Sequence, residues 1–103
     1  MIVSWSKKTA KSAQTTATFI YKEFGLKSSQ KFLSEISHVS QLLEDNPYLG
    51  PIEPLLINKK KQYRSVVVNR LNKLVYYIKG DIIRIAAVWD TRREPKAQAN
   101  NLK

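Results

Sequence analysis

The stretch Gln62–Arg93, QYRSVVVNRLNKLVYYIKGDIIRIAAVWDTRR, decides how the chain folds. It holds three short runs rich in Val, Ile, Tyr and Trp, interrupted by Asn69-Arg70-Leu71-Asn72 and by Gly80-Asp81. β-Branched and aromatic runs broken by turn-forming residues make an antiparallel meander. The spacing predicts strands over Tyr63–Val68, Lys73–Lys79 and Ile82–Trp89. Successive side chains on a strand point to opposite faces, so each run sorts by period two. One face then collects Ile83, Ile85, Ala87 and Trp89 with Leu74, Tyr76 and Ile78, joined by Tyr63, Ser65 and Val67, and it reads as the core face. The other collects Arg64, Val66, Val68 and Arg70, then Lys73, Val75, Tyr77 and Lys79, then Ile82, Arg84, Ala86 and Val88. Cations and aliphatics with almost no acid among them are expected to form an open face, opposite Trp89, that grips something anionic.

Upstream of the meander, Ile2-Val3-Ser4-Trp5 reads as a short first strand, with a helix cap at Ser6 or Thr9. Ala10, Ala13, Ala17, Ile20, Tyr21 and Phe24 recur at steps of three and four, the stripe of a first helix that Gly25 ends. Ser28 or Ser29 can cap a second helix with the stripe Phe32, Leu33, Ile36, Val39, Leu42 and Leu43, stopped by Asn46-Pro47. So short a link makes the two helices an antiparallel hairpin covering one sheet face. Asn46–Pro54 reads as a stiff loop, and Leu55-Leu56-Ile57 as either an edge strand or a packed loop. The expected fold is α+β, in the order β-α-α-β-β-β, with a mainly antiparallel sheet. Residues 1–95 form the expected domain, and 96–103, which lack an apolar stripe, a C-terminal tail.

At 103 residues the chain has room for one modest core. Its formal charge of +10 is unevenly placed: residues 1–58 carry six Lys/Arg against five Asp/Glu, whereas 59–103 carry twelve against three. Such a basic half points to nucleic acid or an acidic protein partner. The absence of cysteine removes disulfides and thiolate sites, and no run is long and apolar enough to span a membrane, so a cytoplasmic protein is expected. The single histidine, His38, sits beside the second helix's apolar stripe and reads as a surface residue, not a base or metal ligand. With no glycine-rich phosphate loop and no paired-histidine spacing, no metal or cofactor is expected. What remains is cationic: Arg64, Arg70, Lys73, Lys79, Arg84, the run Lys59-Lys60-Lys61, and Arg92-Arg93 after the last strand. Arginines can hold a phosphodiester bidentately, and Tyr77 is the tyrosine whose parity lets it join them.

The element order carries several motifs: Trp5 before the first helix, Asn46-Pro47…Gly50 after the second, Tyr63-Arg64, Lys73-Leu74-Val75-Tyr76-Tyr77-Ile78, and Val88-Trp89-Asp90-Thr91-Arg92-Arg93-Glu94-Pro95. In that order and spacing they resemble the RelE/ParE superfamily of type II toxin–antitoxin (plasmid stabilisation) toxins over almost the whole chain. The resemblance implies a toxin neutralised by a cognate acidic antitoxin. RelE-like members cut mRNA on the ribosome without a metal, using basic residues and often a C-terminal tyrosine or a histidine. ParE-like members poison DNA gyrase. Carried onto this chain, the nuclease positions fall on Arg64, Lys73 and Arg92 or Arg93, so the catalytic candidates are Arg64, Lys73, Tyr77 and Arg93. Lys59, Lys60, Lys61, Arg70, Arg84 and Arg92 are the accessory phosphate-binding candidates, and Val66, Val68, Val75 and Val88 the antitoxin groove. Three departures from the nuclease pattern stand out: Val66 occupies a lysine position, Asp90 stands where many relatives place histidine, and no tyrosine follows Arg93. The leading expectation is ribosome-dependent mRNA cleavage; the alternatives are gyrase inhibition without catalysis, and a basic nucleic-acid-binding module that needs no antitoxin.

Overall fold

A computed structural model describes residues 1–92, 98, 99 and 102. A short strand β1 (Ile2–Ser4) is followed by helices α1 (Lys7–Phe24) and α2 (Leu26–Asp45), then by strands β2 (Arg64–Val68), β3 (Asn72–Lys79) and β4 (Ile82–Asp90). The sheet order is β1-β4-β3-β2, with β1 parallel to β4 and the other pairs antiparallel. Two helices on one face of a four-stranded mixed sheet confirm the expected α+β class.

The helix ends follow from local chemistry. Ser6 caps α1 by accepting from the Thr9 N–H, while Thr9 Oγ1 accepts from the Ser6 N–H, so the two predicted cap residues act as a reciprocal pair. Thr16 and Thr18 return their hydroxyls to carbonyls one turn back, at 3.0 Å each, which reconciles these weak helix formers with a helical backbone. Gly25, at φ 94°, is both the C-cap of α1 and the N-cap of α2. The second helix therefore begins before the predicted serine caps, and Ser29 instead donates to Ala17 O at 2.8 Å, tying the helices together. Ala13, Ala17, Ile20, Phe32, Ile36 and Leu43 are buried as their spacing requires; Ala10, Tyr21, Phe24, Leu33 and Leu42 of the predicted stripes are exposed. Leu55-Leu56-Ile57 is no strand: Pro54–Leu56 forms one 3-10 turn, with Leu56 buried.

The main correction concerns which sheet face each residue occupies. Val75 of β3 lies opposite Ala87 of β4, but the next residue, Tyr76, lies opposite Ile85. Ala86 is thus an extra residue, a β-bulge that places Ala86 and Ala87 on the same side and reverses the alternation beyond them. Ile83 and Ile85 face the helices with Val68, Leu74 and Tyr76, while Trp89 packs on the far face with Leu56, Tyr63 and Val75. Period-two sorting put Trp89 with Ile83 and Ile85 because a bulge leaves no mark in the alternation of aliphatic residues.

The far face is therefore not an open basic surface. Its centre is a second apolar cluster, partly covered by Ala99 and Leu102 of the C-terminal segment. Gln98 anchors that segment by accepting from the Asp90 N–H at 3.0 Å and donating to the Asp90 carbonyl at 3.1 Å.

The loop between α2 and β2 is held from inside. The fully buried Tyr76 hydroxyl donates to Pro47 O at 2.8 Å and accepts from the Gly50 N–H at 2.9 Å. Gly50 is required by close approach, since a Cβ there would stand 2.5 Å from Ser65 O. Pro51 O and the Glu53 N–H then bond along β2, at Ser65 N and Tyr63 O, and shield that sheet edge. Glu53 is buried, yet its carboxylate accepts from Lys73 Nζ at 2.7 Å, Ser65 Oγ at 3.1 Å and Leu55 N at 3.1 Å. Burial alone would raise its pKa; the hydrogen bonds and the Lys73 charge outweigh that and hold it below the ordinary value.

Three outcomes follow. Tyr76→Phe should remove about 1–3 kcal/mol of stability by orphaning the buried Gly50 N–H and the partly buried Pro47 carbonyl, seen in urea titration as a lower midpoint with an unchanged slope. Because the Glu53 pKa is lower folded than unfolded, its contribution is present above the ordinary carboxylate value of 4.5 and is lost as pH falls through the folded value. Acid titration of Glu53→Gln should lack that part of the wild-type loss, while Lys73→Ala, which leaves the buried carboxylate unpaired, should cost about 2–4 kcal/mol at neutral pH.

Candidate functional site

Of the expected catalytic group, Arg64, Lys73 and Tyr77 do not assemble on one surface. Arg64 pairs with Tyr76 on the helix-side face; its Nη1 donates to Gly50 O at 2.9 Å and its guanidinium lies 4.8 Å from the Tyr48 ring centroid. Lys73 is on the opposite face, opposite Val67 and Trp89, and is committed to Glu53. Tyr77 shares that far face, with Arg84 directly across from it on β4. Arg93 lies outside the described residues. The parity flip at Ala86 cannot explain Arg64, which precedes it. Period-two sorting groups Arg64 correctly with Val66 and Val68, but it is this set, and not Tyr63 and Ser65, that points at the helices.

The same reversal undoes the predicted groove. Val68 and Val75 are fully buried, on opposite faces, while Val66 and Val88 pack partly buried against the helix-side core. No common surface carries these four. Among the accessory cations, Arg70 is not on a strand face: with Asn69 it forms the β2–β3 turn, at φ 59° and 55°. Arg92 chelates Asp90, with Nε 3.1 Å from Oδ1 and Nη2 3.1 Å from Oδ2, so much of its charge is locally compensated. Lys59 is partly buried after the 3-10 turn, and Lys60 and Lys61 are exposed. Burial pushes the Tyr63 and Tyr76 hydroxyls above the ordinary phenol value, so both stay protonated and neither is a base near neutral pH.

Two surfaces stand out instead. The larger is a groove of about 680 Å³ between α1 and the outer half of β4, lined by Lys8, Lys11, Thr15, Phe19, Val88 and Asp90 among others. It exists because β1 pairs with β4 only as far as Ser4–Arg84, leaving the rest of that strand's outer side without a neighbouring strand. Phe19, 46% exposed, supplies an apolar wall and Lys8 and Lys11 a basic rim. Sequence reading missed it because α1 was treated as cover for the sheet; Phe19, lying off the predicted stripe, was the available signal. The second surface surrounds Tyr77, where the Lys61 ammonium lies 4.7 Å from the ring centroid and Tyr63 packs edge-on at 5.6 Å. Among the described residues no group of three or more His, Cys, Asp or Glu is placed to hold a metal ion, and no helix is long and apolar enough to cross a membrane.

Comparison with known proteins gives these surfaces a context. A family model described as the ParE toxin of type II toxin-antitoxin system, parDE, matches residues 3–95. Among solved structures, a chain of the chromosomal ParDE TA system from P. aeruginosa superposes with a TM-score of 0.72 at 17% identity, covering 89% of this chain and 97% of that one, a likeness of fold. No curated protein is significantly similar in sequence. The match falls on the ParE side of the superfamily, where the sequence reading had placed its alternative and not its leading expectation. The residues it spans include most of β1, both helices, the loop clamped by Tyr76 and the whole meander, and on that basis the chain belongs to the ParE toxin family of type II toxin–antitoxin systems.

Proposed function

We propose that this toxin inhibits growth by binding DNA gyrase, without cleaving mRNA, and that a cognate acidic antitoxin neutralises it. The dispersal of the nuclease positions carries this reading. Arg64 and Lys73 lie on opposite faces of the sheet, one holding the Gly50 loop and the other neutralising Glu53. A phosphodiester cannot meet both at once, and positioned charge of this kind is what in-line cleavage by the ribose hydroxyl would need. Both side chains are better accounted for as parts of the scaffold. Membership of the ParE family agrees with a target that is bound and not cut.

The antitoxin is assigned to the groove between α1 and β4. An amphipathic acidic segment would set apolar side chains against Phe19 and Val88 and carboxylates near Lys8 and Lys11. Expressed alone, the protein should arrest growth, and the purified toxin should inhibit gyrase supercoiling in vitro while leaving ribosome-bound mRNA intact. Codon-specific mRNA cuts that disappear in Lys73→Ala, with supercoiling unaffected, would reverse the assignment. Phe19→Asp should weaken the toxin–antitoxin complex by about tenfold or more in calorimetry, the loss expected of an apolar anchor at an interface centre.

A further inference from the structure

Two hollows meet at Tyr77. One, of about 360 Å³, is lined by Lys8, Lys61, Tyr63, Tyr77 and Arg84 together with Ser4 of β1. The other, of about 400 Å³, lies where β2 has ended and β3 runs on to Lys79, and is lined by Tyr48, Lys61, Arg64, Tyr77 and Lys79. Among the described residues no Asp or Glu lines either one, in contrast to the groove beside α1, which contains Asp90. Lys8, Lys61, Lys79 and Arg84 make no salt bridge among the described residues, whereas Lys73 and Arg92 do. These four charges are available to a ligand.

Their placement is organised. Lys61 belongs to both hollows because its ammonium rests on the Tyr77 ring, an attraction that limits where this long side chain goes. Arg84 is fixed across the ladder from Tyr77 by the register of β3 and β4. Tyr77 is itself wedged against Tyr63, so the cations converge on a rigid aromatic post.

We infer that these paired hollows seat the phosphate backbone of a single nucleic-acid strand, with one phosphate on the Lys8–Lys61–Arg84 side of Tyr77 and the next on the Lys61–Lys79 side. A basic track interrupted by an aromatic ring suits a strand, whose sugars and bases can pass the ring while successive phosphates meet cations. A duplex presents a convex rod and would bridge the hollows without entering them. The seat shares Lys8 with the rim of the antitoxin groove and Arg64 and Tyr77 with the expected catalytic set, but its Lys61, Lys79 and Arg84 lie outside that groove, and it does not rest on the choice of gyrase as target.

The test uses the full-length toxin and a fluorescein-labelled 16-nucleotide single-stranded DNA, read by anisotropy between about 50 and 200 mM salt. Binding should weaken steeply with salt, and the Lys61→Gln/Arg84→Gln double variant should bind about tenfold or more weakly. Its slope of log affinity against log salt should be shallower by about 1.4, two phosphates at about 0.7 each. Lys27→Gln/Lys31→Gln on α2, an equal loss of charge elsewhere, should leave affinity within about twofold, and circular dichroism melts should show both variants folded. Equal weakening by the two double variants would mean that net charge alone binds DNA, and the seat would be refuted. Stronger binding of poly-glutamate than of the oligonucleotide, with the same dependence on Lys61 and Arg84, would refute it in favour of an acidic peptide. RNA and duplex of matched sequence complete the set; preference for the duplex would overturn the single-strand assignment. Loss of gyrase inhibition with strand binding intact would count against the proposed target and not against the seat.

Discussion

The extra residue at Ala86 is the constraint on which the organisation of this protein depends. A strand with unbroken alternation would carry Ile83, Ile85 and Trp89 on one face and Ile82, Arg84, Ala86 and Val88 on the other. The bulge instead sends Trp89 through the sheet, where it joins Leu56, Tyr63 and Val75 in a second cluster. The sheet consequently buries apolar residues on both faces, under the helices on one side and under the C-terminal segment on the other. In a chain this short, such two-sided burial increases the core without adding another layer of helices.

A second consequence concerns the motifs through which the family is recognised. Asn46-Pro47…Gly50, Tyr63-Arg64 and Tyr76 belong to the motifs that resemble the superfamily, and of these residues Arg64 falls on a nuclease position. In three dimensions they form one clamp: Tyr76 binds the backbone at Pro47 and Gly50, and Arg64 binds Gly50 from the neighbouring strand. Glu53 and Lys73 complete the loop's attachment on the opposite face. A polar residue that holds a buried backbone in place is as constrained as one that performs chemistry, because leaving its partners unsatisfied costs comparable free energy. In this chain Tyr76 and Arg64 work on the protein's own backbone, and Lys73 on its buried Glu53 carboxylate.

Once those residues are committed to the scaffold, function moves to the periphery. The groove along α1 exists because β1 is short, and the hollows beside Tyr77 because β2 is short. Both are places where a strand ends before its neighbour does, leaving cations and aromatic rings with space in front of them. Their chemistry differs. Among the described residues, the first combines Phe19 with a basic rim and one acid, as a protein segment requires; the second has basic residues without an acid, as a run of phosphates requires.

Much of the fold was legible from periodicity and punctuation alone. The helices follow from the spacing of Ala13, Ala17 and Ile20 and of Phe32, Ile36 and Leu43, their junction from Gly25, and the meander from its β-branched runs, because these signals are local and propensity acts over a few residues. The concentration of positive charge in the second half of the chain was equally plain, being a matter of composition. Faces and partners were not. A bulge changes register without changing residue type, so no alternation rule places Trp89; whether Lys73 meets solvent or Glu53 depends on a contact twenty residues away in sequence. Sequence thus determined the elements, their order and the sign of the surface. Tertiary structure decided which cations are spent on the fold and which stay free to bind, because that choice is made by packing across the sheet and not along the chain.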